Sequence, residues 1–157
     1  MNTRNALLAI LFVAIVYGLY VALKNGSLQS VGDTLTNLAN AQGPSTIAQY
    51  ARNAGFSGPD LVVAVAIAYA ESSGNPNAYN PETAAGTPEG LGSYGLWQIY
   101  LKAHPEFTGW NLKDPQVNAQ AAYSVYEAAG YSFRPWSTFT SDSFTAYLDK
   151  ATQEVSA

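Results

Sequence analysis

The sequence contains no cysteine and one histidine in 157 residues, and only 11% of it is charged. Without cysteine there is no disulfide framework and no thiolate metal site. That absence does not fix a compartment, since many exported proteins have none. A single histidine with no cluster of carboxylates around it argues against a zinc centre. No metal and no other cofactor is expected. The charged fraction is far below the usual ~25%. With many Tyr, Ser, Asn and Gln, it implies a neutral, hydrogen-bonding surface that suits carbohydrate. The net charge of −4 lacks the basic footprint that phosphates require, so nucleic acid is not an expected partner. The length is that of about one domain, enough to bury a core of its own.

Charge is missing altogether from residues 6–23, ALLAILFVAIVYGLYVAL. Such a run is long enough to cross a bilayer, at the short end of the range. Tyr17 and Tyr20 lie toward its second end, where interfacial aromatics are common. Arg4 and the amino terminus flank the start and Lys24 the end, a weak positive-inside bias. Residues 1–24 are therefore expected to form a single-pass anchor. Its amino terminus would be cytoplasmic, with the rest of the chain facing the periplasm or cell wall. A cleaved signal peptide is the competing reading. The segment VALKNG offers only a marginal small-x-small cleavage site, which favours the uncleaved anchor. Residues 25–44 are polar and small, with Leu28, Val31, Leu35 and Leu38 at helical spacing. Both a short surface helix and a tether fit this linker.

The remaining residues, 45–157, read as one mainly α domain. Ser45 or Thr46 can cap a helix running to about Asn53, closed by Gly55. Pro59 is suited to the first turn of the next helix. That helix carries ten apolar residues in a row, Leu61 to Ala70, followed by Glu71, Ser72, Ser73 and Gly74. An apolar run with no polar face is buried on all sides. Glu71 thus sits where a buried helix emerges into a polar turn. A carboxyl half out of water has a raised pKa, and one still protonated near neutral pH can act as a general acid. The bland alternative is a helix-end Glu reaching solvent. Residues 73–94 form a long loop, rich in Gly, Pro and Asn, that carries Glu82 and Glu89. A short hairpin there has only a poor period-2 signal. GLWQIYLKAHPEF reads as a short helical stretch broken before Pro105. Asp114-Pro115 starts a helix that stops at Gly130. SFRPWSTF is a turn bracketed by aromatics. A last helix starts at Asp142 or Ser143, and the final residues are expected to fray.

Four segments in this order carry a resemblance: Glu71-Ser72 ending the buried helix, Gly95-Leu96-Trp97-Gln98-Ile99, Asn118 to Tyr123 on the next long helix, and Arg134-Pro135-Trp136-Ser137. Together they resemble the lysozyme-like soluble lytic transglycosylase family and its goose-type lysozyme relatives, over about residues 46–148. Trp in GLWQI, the following His-Pro and the late PWST look like phage-encoded cell-wall-degrading domains. The resemblance implies a lysozyme-like fold, peptidoglycan glycan strands as substrate, and Glu71 as the group that protonates the glycosidic oxygen. It implies that Ser72 positions the substrate and the catalytic carboxyl, that Gln98 faces the cleft, and that the Tyr123 hydroxyl holds Glu71. Trp97, Tyr94, Tyr100 and Trp136 are candidates for stacking on sugars, against the plain alternative that the tryptophans are core.

His104 reads as a structural loop histidine and Arg134 as a loop-bracing cation. Glu82 and Glu89 read as solvated loop charges. If either reached the cleft, a muramidase that uses water would become possible. The expected function is a membrane-anchored lytic transglycosylase, with virion or envelope-machine proteins as possible partners. The alternatives are the muramidase and a non-catalytic structural or glycan-binding protein. Trp97 stands where the family more often has Met, and the acidic balance departs from the basic character of many wall-acting enzymes.

Overall fold

A computed structural model describes residues 45–157; the anchor and linker expected over residues 1–44 lie outside the described residues. Among the described residues no helix is long and apolar enough to cross a membrane. Residues from Thr46 onward form one compact unit.

Helix α1 spans Ile47–Ala54. It is capped by Thr46, whose Oγ1 accepts from the Gln49 N–H at 3.2 Å. Helix α2 spans Gly58–Ser72, with Pro59 in its first turn and Ser73 closing it in the left-handed region. Ala64, Val65, Ala66, Ile67 and Ala68 are wholly buried. Side chains at five successive positions face every direction around a helix, so α2 is enclosed, as its unbroken apolar run requires. It packs against α1 and the C-terminal elements, while helix α3 (Pro115–Ala128) packs on α1 and reaches α2 through Tyr126, whose hydroxyl donates to Asp60. Asp114 caps α3, its Oδ1 accepting from the Gln116 and Val117 N–H groups at 2.9 Å.

The long loop between α2 and α3 holds a small antiparallel sheet of three two-residue strands: β1 (Tyr79–Asn80), β2 (Ser93–Tyr94) and β3 (Ile99–Tyr100), in that order. Tyr79 pairs with Tyr94, and Ser93 with Tyr100. The helical stretch expected over GLWQIYLKA is therefore a turn followed by a strand. Gly95 at φ +76° and Gln98 at φ +46° break any helix there. At Gly95 a Cβ would lie 2.3 Å from the Leu112 carbonyl oxygen and 2.4 Å from Asn118 Nδ2, so only glycine fits. Asn118, fully buried on α3, holds the turn with both ends of its amide. Oδ1 accepts from the Trp97 N–H and Nδ2 donates to the Tyr94 carbonyl, both at 2.9 Å.

The C-terminal third also differs from the sequence expectation. Ser137–Thr140 makes a single helical turn, α4, within the expected aromatic turn. A 3-10 segment over Ser143–Tyr147 then leads into α5, Leu148–Ser156. This last helix docks instead of fraying. Glu154 accepts from the Ala48 N–H at the start of α1 (2.8 Å) and from the Tyr69 hydroxyl on α2 (2.6 Å), and Ala151 is fully buried. The Arg52 guanidinium donates to the Val155 carbonyl. One carboxylate thus ties three helices together.

Candidate active site

Helix α2 carries Glu71 to the floor of an open cleft of about 300 Å³. One wall comes from the sheet: Asn80, Glu82, Ser93, Ile99 and Tyr100. Gln98, Ala103, His104, Val125 and Pro135–Ser137 complete the lining. Glu71 is half-buried, and its Oε1 accepts from the Thr138 hydroxyl at 2.7 Å. Burial pushes its pKa above the usual carboxylate range. The hydrogen bonding from Thr138 pulls it back, and the charge of Glu82 pushes it up again. Its place in the last turn of α2 adds to the upward push, because a helix C-terminus disfavours negative charge.

Glu82, read from the sequence as a solvated loop charge, lines the same cleft. It sits on a left-handed residue, φ +52°, at the sheet edge. Its Oε1 accepts from Ser93 Oγ at 2.8 Å and Asn80 Nδ2 at 2.9 Å. Its backbone N–H donates to Asn80 Oδ1 at 3.1 Å. These bonds aim the carboxylate into the cleft. Glu89 is exposed and does not line it.

Of the other expected site residues, Gln98 lines the cleft. Its Nε2 donates to the Gly95 carbonyl at 2.8 Å, which fixes the amide. Tyr100 also lines it, its hydroxyl sharing a hydrogen bond with Thr87. His104 is a cleft residue too, with Nδ1 at 3.0 Å from Glu106 Oε1. Arg134 is exposed and outside the cleft lining.

Four of the expected site residues do not line the cleft. Tyr123 does not hold Glu71: its ring lies over Gly55, toward the other end of α2, and the group bonded to Glu71 is Thr138. The Ser72 hydroxyl donates to the Ala68 carbonyl (2.8 Å) and accepts from the Gly74 N–H (3.2 Å), so it closes the helix rather than facing the cleft. Trp97 is 1% exposed and donates its indole N–H to the Ala64 carbonyl at 2.9 Å; it is core and has no face for a sugar. Tyr94 is half-buried, its ring against Tyr79 and its hydroxyl on the Gly90 carbonyl at 3.0 Å. Trp136 divides the two readings. Its indole N–H donates to the Trp97 carbonyl at 2.9 Å and it is 6% exposed, yet that remaining surface lines the cleft.

Sequence reasoning missed Thr138, Asn80 and Ser93. Thr138 is the last residue of the PWST segment that carries the resemblance, but nothing in that motif marks its hydroxyl as the partner of Glu71. Asn80 and Ser93 carried no signal, because strands of two residues have no periodicity. Among the described residues no cluster of three or more His, Asp or Glu side chains could hold a metal ion.

A mainly helical domain whose enclosed helix delivers one pKa-raised carboxyl into an open polar cleft, facing a small sheet, is that of a lysozyme-like glycosidase. The pattern of the lysozyme-like domain family matches residues 48–138, and the chain belongs to that family. No curated protein and no solved structure matches it. Membership supports peptidoglycan as the substrate and glycosidic cleavage as the chemistry.

Proposed function

We propose that the protein is a lytic transglycosylase cleaving the bond between N-acetylmuramic acid and N-acetylglucosamine, with Glu71 as acid and then base. The observation that carries this is the Glu71 carboxyl: half-buried in the cleft, raised in pKa and fixed by Thr138. Its proton goes to the glycosidic oxygen as the C1–O bond breaks. The resulting carboxylate takes the proton of the muramic 6-hydroxyl as that oxygen closes on C1. The product ends in a 1,6-anhydro ring, and no water is consumed. Gln98, with its amide held at the cleft, is the donor and acceptor for an N-acetyl group.

A second reading, the water-using muramidase, is favoured by Glu82. Its Oε1 is occupied by Ser93 and Asn80, which leaves Oε2 to take a proton from water attacking C1. A pair of carboxylates across a cleft is the usual requirement for hydrolysis. Mass spectrometry of the products from peptidoglycan digested by the full-length protein separates the two. Anhydro ends establish the transglycosylase, and reducing ends one water heavier establish the hydrolase. Absence of soluble product from several wall types overturns both in favour of a structural or glycan-binding role.

The proposal extends to placement. The apolar run over residues 6–23 serves as an uncleaved anchor that holds the domain near the wall and raises its local concentration there. The phage-like GLWQI and PWST segments favour local wall opening by a virion. Release of the protein from membranes by an alkaline carbonate wash would overturn the anchor.

A further inference from the structure

The cleft accounts for one end of α2. At the other end lies a second open cavity of about 280 Å³, lined by Gly55, Phe56, Ser57, Asp60, Tyr123, Tyr126 and Tyr131. The catalytic reading uses none of them. Asp60 and Glu71 are eleven positions apart on one helix, about 16 Å along its axis.

The rings in this cavity meet at steep angles. Phe56 and Tyr123 are edge to face at 83°, and Tyr126 and Tyr131 at 76°. With centroids 5.1 and 5.7 Å apart these pairs touch one another, so the rings form a packed, uneven wall of the cavity and not the flat platform on which a sugar stacks. Two of the hydroxyls donate to carboxylates: Tyr126 to Asp60 Oδ2 at 2.6 Å and Tyr131 to Glu127 Oε1 at 3.1 Å. A phenol that donates to a carboxylate is a better acceptor on its own oxygen. No lysine, arginine or histidine is among the lining residues. The N-terminus of α2 opens here and by itself would draw an anion. Asp60, in its first turn, already supplies that charge, so a further anion would face Asp60 and Glu127. Aromatic walls, phenol acceptors and a carboxylate are what a compact organic cation requires.

We propose that this cavity is a binding site for a primary ammonium group, seated against the wall of rings formed by Tyr123, Tyr126 and Tyr131 and paired with Asp60. Resting on the peptidoglycan reading, the ammonium is the free side-chain amine of a diamino acid in the wall's peptides. So occupied, the site would tether the enzyme to the wall's peptides at a place separate from the cleft.

The test is a titration of the full-length protein with Nα-acetyl-lysine methylamide, followed through the tyrosine ring NMR signals. Saturable shifts of Tyr123, Tyr126 and Tyr131 are expected, with binding about tenfold weaker in Asp60→Asn. Asp60→Asn keeps the shape and an acceptor for Tyr126, so folding is preserved. Tyr131→Ala, which removes an exposed wall, is expected to weaken binding about threefold. The neutral Nε-acetylated probe is expected not to bind. Equal binding of both probes, no shifts at all, or full affinity in Asp60→Asn overturns the proposal. The titration needs no cleavage, so its outcome stays readable whether or not the wild-type protein degrades peptidoglycan.

Discussion

The two ends of α2 carry the same functional group in opposite settings. At the C-terminal end Glu71 is half-buried, takes one hydroxyl donor, and shares an open cleft with another carboxylate, Glu82. At the N-terminal end Asp60 is exposed and sits where the helix favours negative charge. There the burden of burial falls on its partner: the Tyr126 hydroxyl is pushed up to about 12, so it stays a donor across all working pH. The difference teaches how one apolar helix makes two unlike sites. Where burial falls on the carboxyl itself, a transferable proton results. Where burial falls on the phenol, the carboxylate is free to pair with a cation.

The largest expected effect is at Glu71. Glu71→Gln keeps size and polarity but removes the proton, and cleavage is expected to fall on the order of 10³-fold. Product release from purified peptidoglycan measures it, and retained activity would sink the site assignment. The same variant sharpens the contrast through stability. The folded-state pKa of Glu71 lies above the usual 4.5, so the folded protein holds this proton more tightly than the unfolded chain. Stability is then undiminished below 4.5 and declines as pH rises through the folded pKa. Glu71→Gln removes that decline, so its melting temperature is expected to exceed the wild type's at neutral pH and to match it in acid.

Next in size is Gly55→Ala at the opposite end. The glycine has φ +127°, and a Cβ would lie 2.8 Å from Tyr123 Cζ. Backbone strain and displacement of the ring together are expected to cost about 1–3 kcal/mol, read from denaturant unfolding. The Tyr123 ring should move with it, whereas Glu71, held from α4, should not. A changed pH profile of cleavage in Gly55→Ala would break the claimed independence of the two ends.

How much of this was legible follows the same division. The enclosed helix could be read from Leu61–Ala70, because an unbroken apolar run has few other solutions. With it came Glu71 at a polar boundary, and the caps Thr46 and Asp114 were equally local signals. What stayed hidden depends on contacts across the chain. The sheet is set by pairings such as Tyr79 with Tyr94, and by Asn118 reaching back to the Trp97 and Tyr94 backbone. Tyr123 illustrates the error. Motif order placed it at Glu71, but its position on α3 turns it toward Gly55. For Trp97 the sequence leaves sugar stacking and core both open, and its indole N–H, spent on the α2 backbone, decides for core. A motif reports that a family is present; which face of a helix its residues occupy is decided by packing.

Glu82→Gln is expected to act on both remaining questions with a moderate effect. In a hydrolase it removes the group that takes the proton of water, and cleavage falls on the order of 10²-fold. In a transglycosylase cleavage persists. In either case a negative charge that raises Glu71 is gone, so the alkaline limb of the pH–activity profile should move to lower pH. A limb that stays put would mean that the two carboxylates do not sense each other.

The smallest effect is expected from Thr138→Val, which keeps the shape of the side chain and deletes the hydroxyl at 2.7 Å from Glu71 Oε1. That hydrogen bond stabilises the charged carboxylate, so its loss raises the Glu71 pKa further. The alkaline limb should therefore move to higher pH, opposite to Glu82→Gln, with a rate at the optimum changed only a few-fold, roughly the worth of one hydrogen bond. Restoring a hydroxyl with Thr138→Ser should return the limb toward the wild-type position, which a purely steric role for Thr138 would not do. If Thr138→Val moves the limb downward, another donor holds Glu71 in solution, and the acid at this end of α2 is set by something other than the balance of burial and a single hydroxyl.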